Sequence, residues 1–144
     1  GVSRLPRLGA HPSQMAAFQA YSAAFSGGDF ERFPAFYTDD VVLHLTSSVG
    51  DIAGKQGIVD FYRPMFARVR ETVTVEHFEA SDTRIVLDAI SRFTAVGDAP
   101  DFVVGPLKKG EWYDVPVRVE YQLREGLICD IHVTRRGERT FGPV

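Results

Sequence analysis

Near residue 71 the hydrophobic period of this chain changes from 3.6 to 2, and that one change limits the folds open to it. Before it, apolar residues recur three and four apart. Phe18, Tyr21, Ser22 and Phe25 share one helical face, with Ser13 placed as N-cap and Gly27-Gly28 as the stop. Asp29 opens a short second helix carrying Phe30, Phe33 and Phe36-Tyr37, which Thr38-Asp39-Asp40 breaks. A β-rich run over 41–45 and a loop over 47–54 follow. Ile58, Phe61, Tyr62, Met65, Phe66 and Val69 then give the cleanest amphipathic stripe, in which Pro64 predicts a kink or break.

Beyond residue 71 the alternation predicts strands over 72–79, 84–96, 102–104, 112–123 and 127–134. Turn signals separate them at Ser81-Asp82, Gly97-Asp98-Ala99-Pro100, Gly105-Pro106 with Gly110, and Glu125-Gly126. Val115, Val117, Val119, Tyr121 and Leu123 alternate most clearly, against Pro116, Arg118, Glu120 and Gln122. Helices followed by a strand meander predict an α+β fold, with a curved mixed or antiparallel sheet wrapped around N-terminal helices. Such a wrap leaves a cone with one open end. At 144 residues the chain has the size of one domain, read as a flexible arm over 1–12 and a single domain over 13–144.

Aromatics are 12% of the chain, eleven of them Phe, which is generous for one core and suits an apolar pocket. A net charge of −3 argues against nucleic acid or an anionic membrane as partner. No run has the length of a membrane-spanning helix, and Arg4 and Arg7 precede no apolar h-region. Cys129 is alone, so no internal disulfide forms and a cytoplasmic location is expected. No two of His11, His44, His77 and His132 stand at ligand spacing along the chain, so neither metal nor cofactor is expected.

Tyr21 to Asp29, the run Phe36-Tyr37-Thr38-Asp39-Asp40-Val41-Val42, and the Gly-x-x-Gly-Ile-x-x-Phe-Tyr stretch ending at Tyr62 resemble the nuclear transport factor 2-like superfamily. Its ketosteroid isomerase and SnoaL-like branch is nearest, over residues 14 to 136. The resemblance implies a cone-shaped fold that holds its ligand inside and pairs as a homodimer through the outer sheet face. It sets Tyr21 at the oxyanion-hole tyrosine, with Tyr37 and Tyr62 on the two tyrosines that orient it. A phenol that accepts hydrogen bonds from other phenols donates better to a developing enolate or alkoxide. The isomerase's general base falls on Leu45 and its protonated aspartate on or near Val119, and neither carries a proton.

Leu43, Leu45, Phe66, Val117, Val119 and Tyr37 are therefore expected to line a pocket, with Tyr21 and Tyr62 as the catalytic candidates. If Leu43 and Leu45 face inward, alternation turns His44 to the outer face, and His132, between Ile131 and Val133, shares its position. Asp88 and Arg92 share a face of an earlier strand, and Trp112 and Tyr113 are candidates to cap the mouth. The expectation is a homodimer binding a small apolar molecule, catalysing isomerisation, cyclisation, hydration or epoxide opening through Tyr21 if it is an enzyme. The alternative is a non-catalytic ligand-binding or association module.

Overall fold

The computed structural model describes Leu8, residues 12–45 and residues 49–143, with side chains in the first helix from Met15 onward. Helix α1, Pro12–Ser26, begins one residue before the expected cap at Ser13. It closes on the expected glycines. Gly28 takes a left-handed φ of 69°, its amide reaches the Phe25 carbonyl at 3.0 Å, and the Asp29 amide reaches Ala24 at 2.9 Å. This paired closure satisfies carbonyls that the helix end would otherwise orphan.

The second helix contracts to a single 3₁₀ turn, Phe33–Phe36. Phe30, Phe33 and Phe36 are spaced by three, and Pro34 withholds an amide, so a tight turn accommodates them without a full helix. Tyr37 opens strand β1, Tyr37–Leu45, so Thr38, Asp39 and Asp40 lie within a strand where a break was expected. Tyr37 pairs with Ile128, and a register shift before Val42 absorbs the polar residues between. The following loop contains a short strand β2, Asp51–Ala53, antiparallel to β1. Helix α2, Lys55–Phe66, runs through Pro64 but ends two residues later, so Val69 belongs to the next strand.

Strands β3 (Val69–Ala80), β4 (Arg84–Ala95), β5 (Trp112–Arg124) and β6 (Leu127–Arg135) form the expected meander. The sheet order is β2-β1-β6-β5-β4-β3, with β1 parallel to β6 and the other pairs antiparallel. The expected strand over 102–104 is absent. Pro100 and Pro106 lack amides, β4 is already paired on both edges, and only an Ala99–Leu107 bridge closes that loop. Strand β7, Thr140–Gly142, instead pairs with the start of β5. A Cβ on Gly142 would stand 2.1 Å from the Trp112 ring, so that approach needs glycine.

A bulge between Val75 and His77 reverses the alternation of β3. Val69, Glu71 and Val73 face the helices on one side of it, Phe78 and Ala80 on the other, and Phe78 meets the Phe18 ring of α1 at 5.4 Å. Phe33, Val41, Ile58, Ile85 and Ile128, all fully buried, join the helices to the sheet. Of the expected arm, 1–7 and 9–11 lie outside the described residues, whereas Leu8 is buried and its amide donates to Gly126 O at 2.8 Å.

Candidate functional site

The inner face of the sheet and the two helices enclose a cavity of about 500 Å³. That volume is typical of small-molecule sites. Its walls are the inward rows that strand alternation dictates: Leu43 and Leu45 from β1, Val117 and Val119 from β5, Ile131 and Val133 from β6. Phe66 lies behind this lining, buried against the Phe25, Phe30 and Tyr62 rings. Val75 and Val103, each 45% exposed, stand at the mouth, with Arg135 and Arg139 beside them.

The inner end of the cavity is polar. Tyr21 and Tyr37 are both buried, and their hydroxyls share a hydrogen bond of 2.8 Å. Tyr62 lines the same space but does not bond to Tyr21, correcting half of the expected pair. Tyr121 from β5 is the further phenol that interacts with Tyr21, and their rings meet edge-on at 6.1 Å. Burial raises all four tyrosine pKa values well above the ordinary range. They remain neutral phenols and so retain a proton to donate.

Among these groups stands Glu71, which the sequence reading passed over. It is 9% exposed, and desolvation pushes its carboxyl up to about 7, with Ser91 pulling the other way. It is the sole acidic residue among the described residues of the lining. Its charge bears on Tyr21, Tyr37, Tyr62 and Tyr121 alike, so carboxyl and phenols form one electrostatic unit. The positions expected to lack a base do lack one, since Leu45 and Val119 are apolar wall. The carboxyl comes instead from β3. The signal was there in the row Val69, Glu71, Val73, where an acid interrupts inward apolar residues, but it needs the strand to begin before residue 72.

A carboxyl titrating near neutrality can take or give a proton at physiological pH. Neutral phenols beside it can stabilise oxygen charge developing in the same enclosure. Together they supply the two parts of an enolisation, cyclisation or epoxide opening.

The remaining candidates, Tyr113 apart, lie on the outer face. Asp88 and Arg118 are cross-strand partners joined by hydrogen bonds of 2.8 and 3.1 Å, and Arg92 grips Asp114 at 2.7 and 2.9 Å. Arg92 also stacks over Trp112 at 3.9 Å, so Trp112 does not cap the mouth. Tyr113 faces inward, and its hydroxyl donates to Pro106 O at 3.2 Å. His44 and His132 face outward, their rings stacked at 4.1 Å. Spacing along the chain kept them apart; the parallel β1–β6 register sets them side by side.

The family model for the SnoaL-like domain matches residues 18–131. No curated protein matches the sequence significantly. A computationally designed 17-OHP binder has a similar structure, with a TM-score of 0.71 and 22% identity over 89% of this chain and 97% of that one. A candidate polyketide cyclase of Xanthomonas campestris pv. campestris gives 0.69 and 22% over 83% and 87%. An LEH-like epoxide hydrolase of M. tuberculosis gives 0.66 and 17% over 83% and 80%.

Proposed function

The chain belongs to the SnoaL-like family and has its nuclear transport factor 2-like α+β fold, and from that premise we propose that it is an enzyme acting on a small, largely apolar molecule bearing one reactive oxygen. The apolar body lies along the β5 and β6 valines, and the oxygen reaches the phenols at the inner end. Tyr21, steadied by Tyr37, donates a hydrogen bond to that oxygen as it gains charge. Glu71 transfers the proton as general base or acid. The reaction class is isomerisation, cyclisation, hydration or epoxide opening, which share oxyanion stabilisation and a proton transfer.

One observation carries the reading: a buried carboxyl of pKa about 7 shares an enclosed apolar cavity with a hydrogen-bonded phenol pair. A structural carboxyl would more simply be replaced by an amide or an apolar residue, because burying a charge without a cation is costly. The alternative, a non-catalytic binding module, rests on the apolar Leu45 and Val119 and loses ground once Glu71 stands in the same space. The proposal includes pairing of two chains through the outer sheet face.

Two probes of like shape separate oxyanion recognition from apolar binding. A naphthol, whose oxygen becomes charged, and naphthalene, which has none, are titrated against the native chain and Tyr21→Phe. We expect the variant to lose naphtholate affinity by roughly 10–100-fold, the worth of a hydrogen bond to a charged group, while naphthalene binding stays put. Unchanged naphtholate affinity in Tyr21→Phe removes the oxyanion donor.

A further inference from the structure

We infer that His44, Asp130 and His132 form a binding site for a divalent transition-metal ion of the zinc class on the outer face of the sheet, away from the cavity. The site is a product of register. His44 on β1 stands opposite His132 on β6, and Asp130 precedes His132 by two, so all three side chains leave the same face. The two Nε2 atoms converge on one carboxylate: His44 lies 2.7 Å from Asp130 Oδ1 and His132 lies 2.8 Å from Oδ2. The three prospective ligand atoms fall within 4.8 Å of one another. A metal with bonds of about 2.0–2.1 Å to imidazole and carboxylate needs only small side-chain rotations to seat among them.

The surroundings support a metal over a simple hydrogen-bonded cluster. Asp51, opposite His44 on β2, lies 2.9 Å from its Nδ1. With Nδ1 donating to Asp51, an ion that displaces the Nε2 proton shared with Asp130 meets that nitrogen's lone pair, and histidine ligands are commonly held from behind in this way. Glu120, opposite His132 on β5, is turned to Arg84 at 2.9 Å, so no further carboxylate crowds the position. The His132 side chain is 51% exposed, leaving the outward side open to water or a fourth ligand. Two imidazoles and one carboxylate suit zinc and its neighbours, whereas calcium and magnesium demand oxygen.

The test uses untagged protein, stripped with chelator and titrated with ZnCl₂ by calorimetry, with Co²⁺ as a spectroscopic stand-in. We expect saturation at one ion per chain with a dissociation constant on the order of micromolar, and visible Co²⁺ absorption of a low-coordinate site. His132→Ala, at an exposed position, should lower affinity at least ~10-fold with an unchanged melting curve, and Asp130→Asn should do the same. Asp51→Asn should cost about 10-fold through His44 orientation, and Cys129→Ser should change nothing. No saturable binding by about 1 mM Zn²⁺, equal affinity in His132→Ala, or loss of binding in Cys129→Ser would each overturn the site.

Discussion

A carboxyl held at a pKa of about 7 by burial keeps its proton more tightly in the folded chain than in the unfolded one, where glutamate titrates near 4.5. The sign follows: the folded state binds the extra proton between those values, so stability is full below pH ~4.5 and falls as pH rises through 7. The difference amounts to about 3 kcal/mol. Glu71→Gln removes this dependence, and its melting temperature at pH 8 should exceed that of the native chain by roughly 5–10 °C, with the two converging in acid. If both proteins show the same slope from pH 5 to 8, Glu71 does not titrate in the buried state. In kcat/KM on any turned-over substrate, the same group should give a rising limb centred near pH 7 if it is the base. Tyr21 and Tyr37 were legible in the sequence because they stand in segments of local pattern. Tyr62 was expected as the second orienting phenol, whereas the further phenol whose ring meets Tyr21 is Tyr121, because strand β5 reaches the site only through pairings distant in sequence. Glu71 was illegible for a local reason: it sits where the period changes, and either side of that boundary hides it.

Elements with strong periodicity were readable, namely α1, α2 and the four long strands, because each buries one face and writes that face into its sequence. The short second helix was legible but not its contraction to a 3₁₀ turn; β2 and β7 were not, being three residues each and fixed by what they pack on. The two kinds of burial should respond differently to mutation. Phe33, wholly buried in the 3₁₀ turn, packs its ring against Phe25, Phe30 and Tyr37. Phe33→Ala should cost about 3–5 kcal/mol in chemical denaturation, since a cavity opens in close-packed surroundings. Val117 on β5 is also buried but faces the 500 Å³ cavity. Val117→Phe has empty volume to enter, so its denaturation midpoint should stay level or rise while naphthol binding is lost. A loss of stability in Val117→Phe matching that of Phe33→Ala would mean the interior is packed rather than hollow.

At the scale of the whole molecule, the order of helices and strands implied the wrap of a sheet around a hollow, but not its closure by parallel pairing of β1 with β6. That pairing joins segments more than 80 residues apart, which no local period encodes. It leaves an outer face whose central strands carry cross-strand rows in alternation. Asp88 with Arg118 and Arg92 with Asp114 flank the half-buried Ile90, which stands opposite Pro116, and Val86 lies beyond. Because these charges are answered within the chain, the face presents one apolar row, Ile90 with Pro116, between neutralised ones, and Val86 beside Glu120, which is paired to Arg84; a second copy can match such a surface under two-fold symmetry. The proposed pairing should therefore be driven by these apolar side chains and resist salt, since screening acts on unanswered charges. Sedimentation at micromolar concentration should give a dimer at both 0.1 and 1 M NaCl. Ile90→Asp should shift it to monomer without lowering secondary structure, because the substituted side chain points away from the core. A monomer at low salt would dismiss the pairing; a dimer that dissolves only in high salt would move its origin from Val86 and Ile90 to the ion-paired rows, whose partners would then have to exchange between chains.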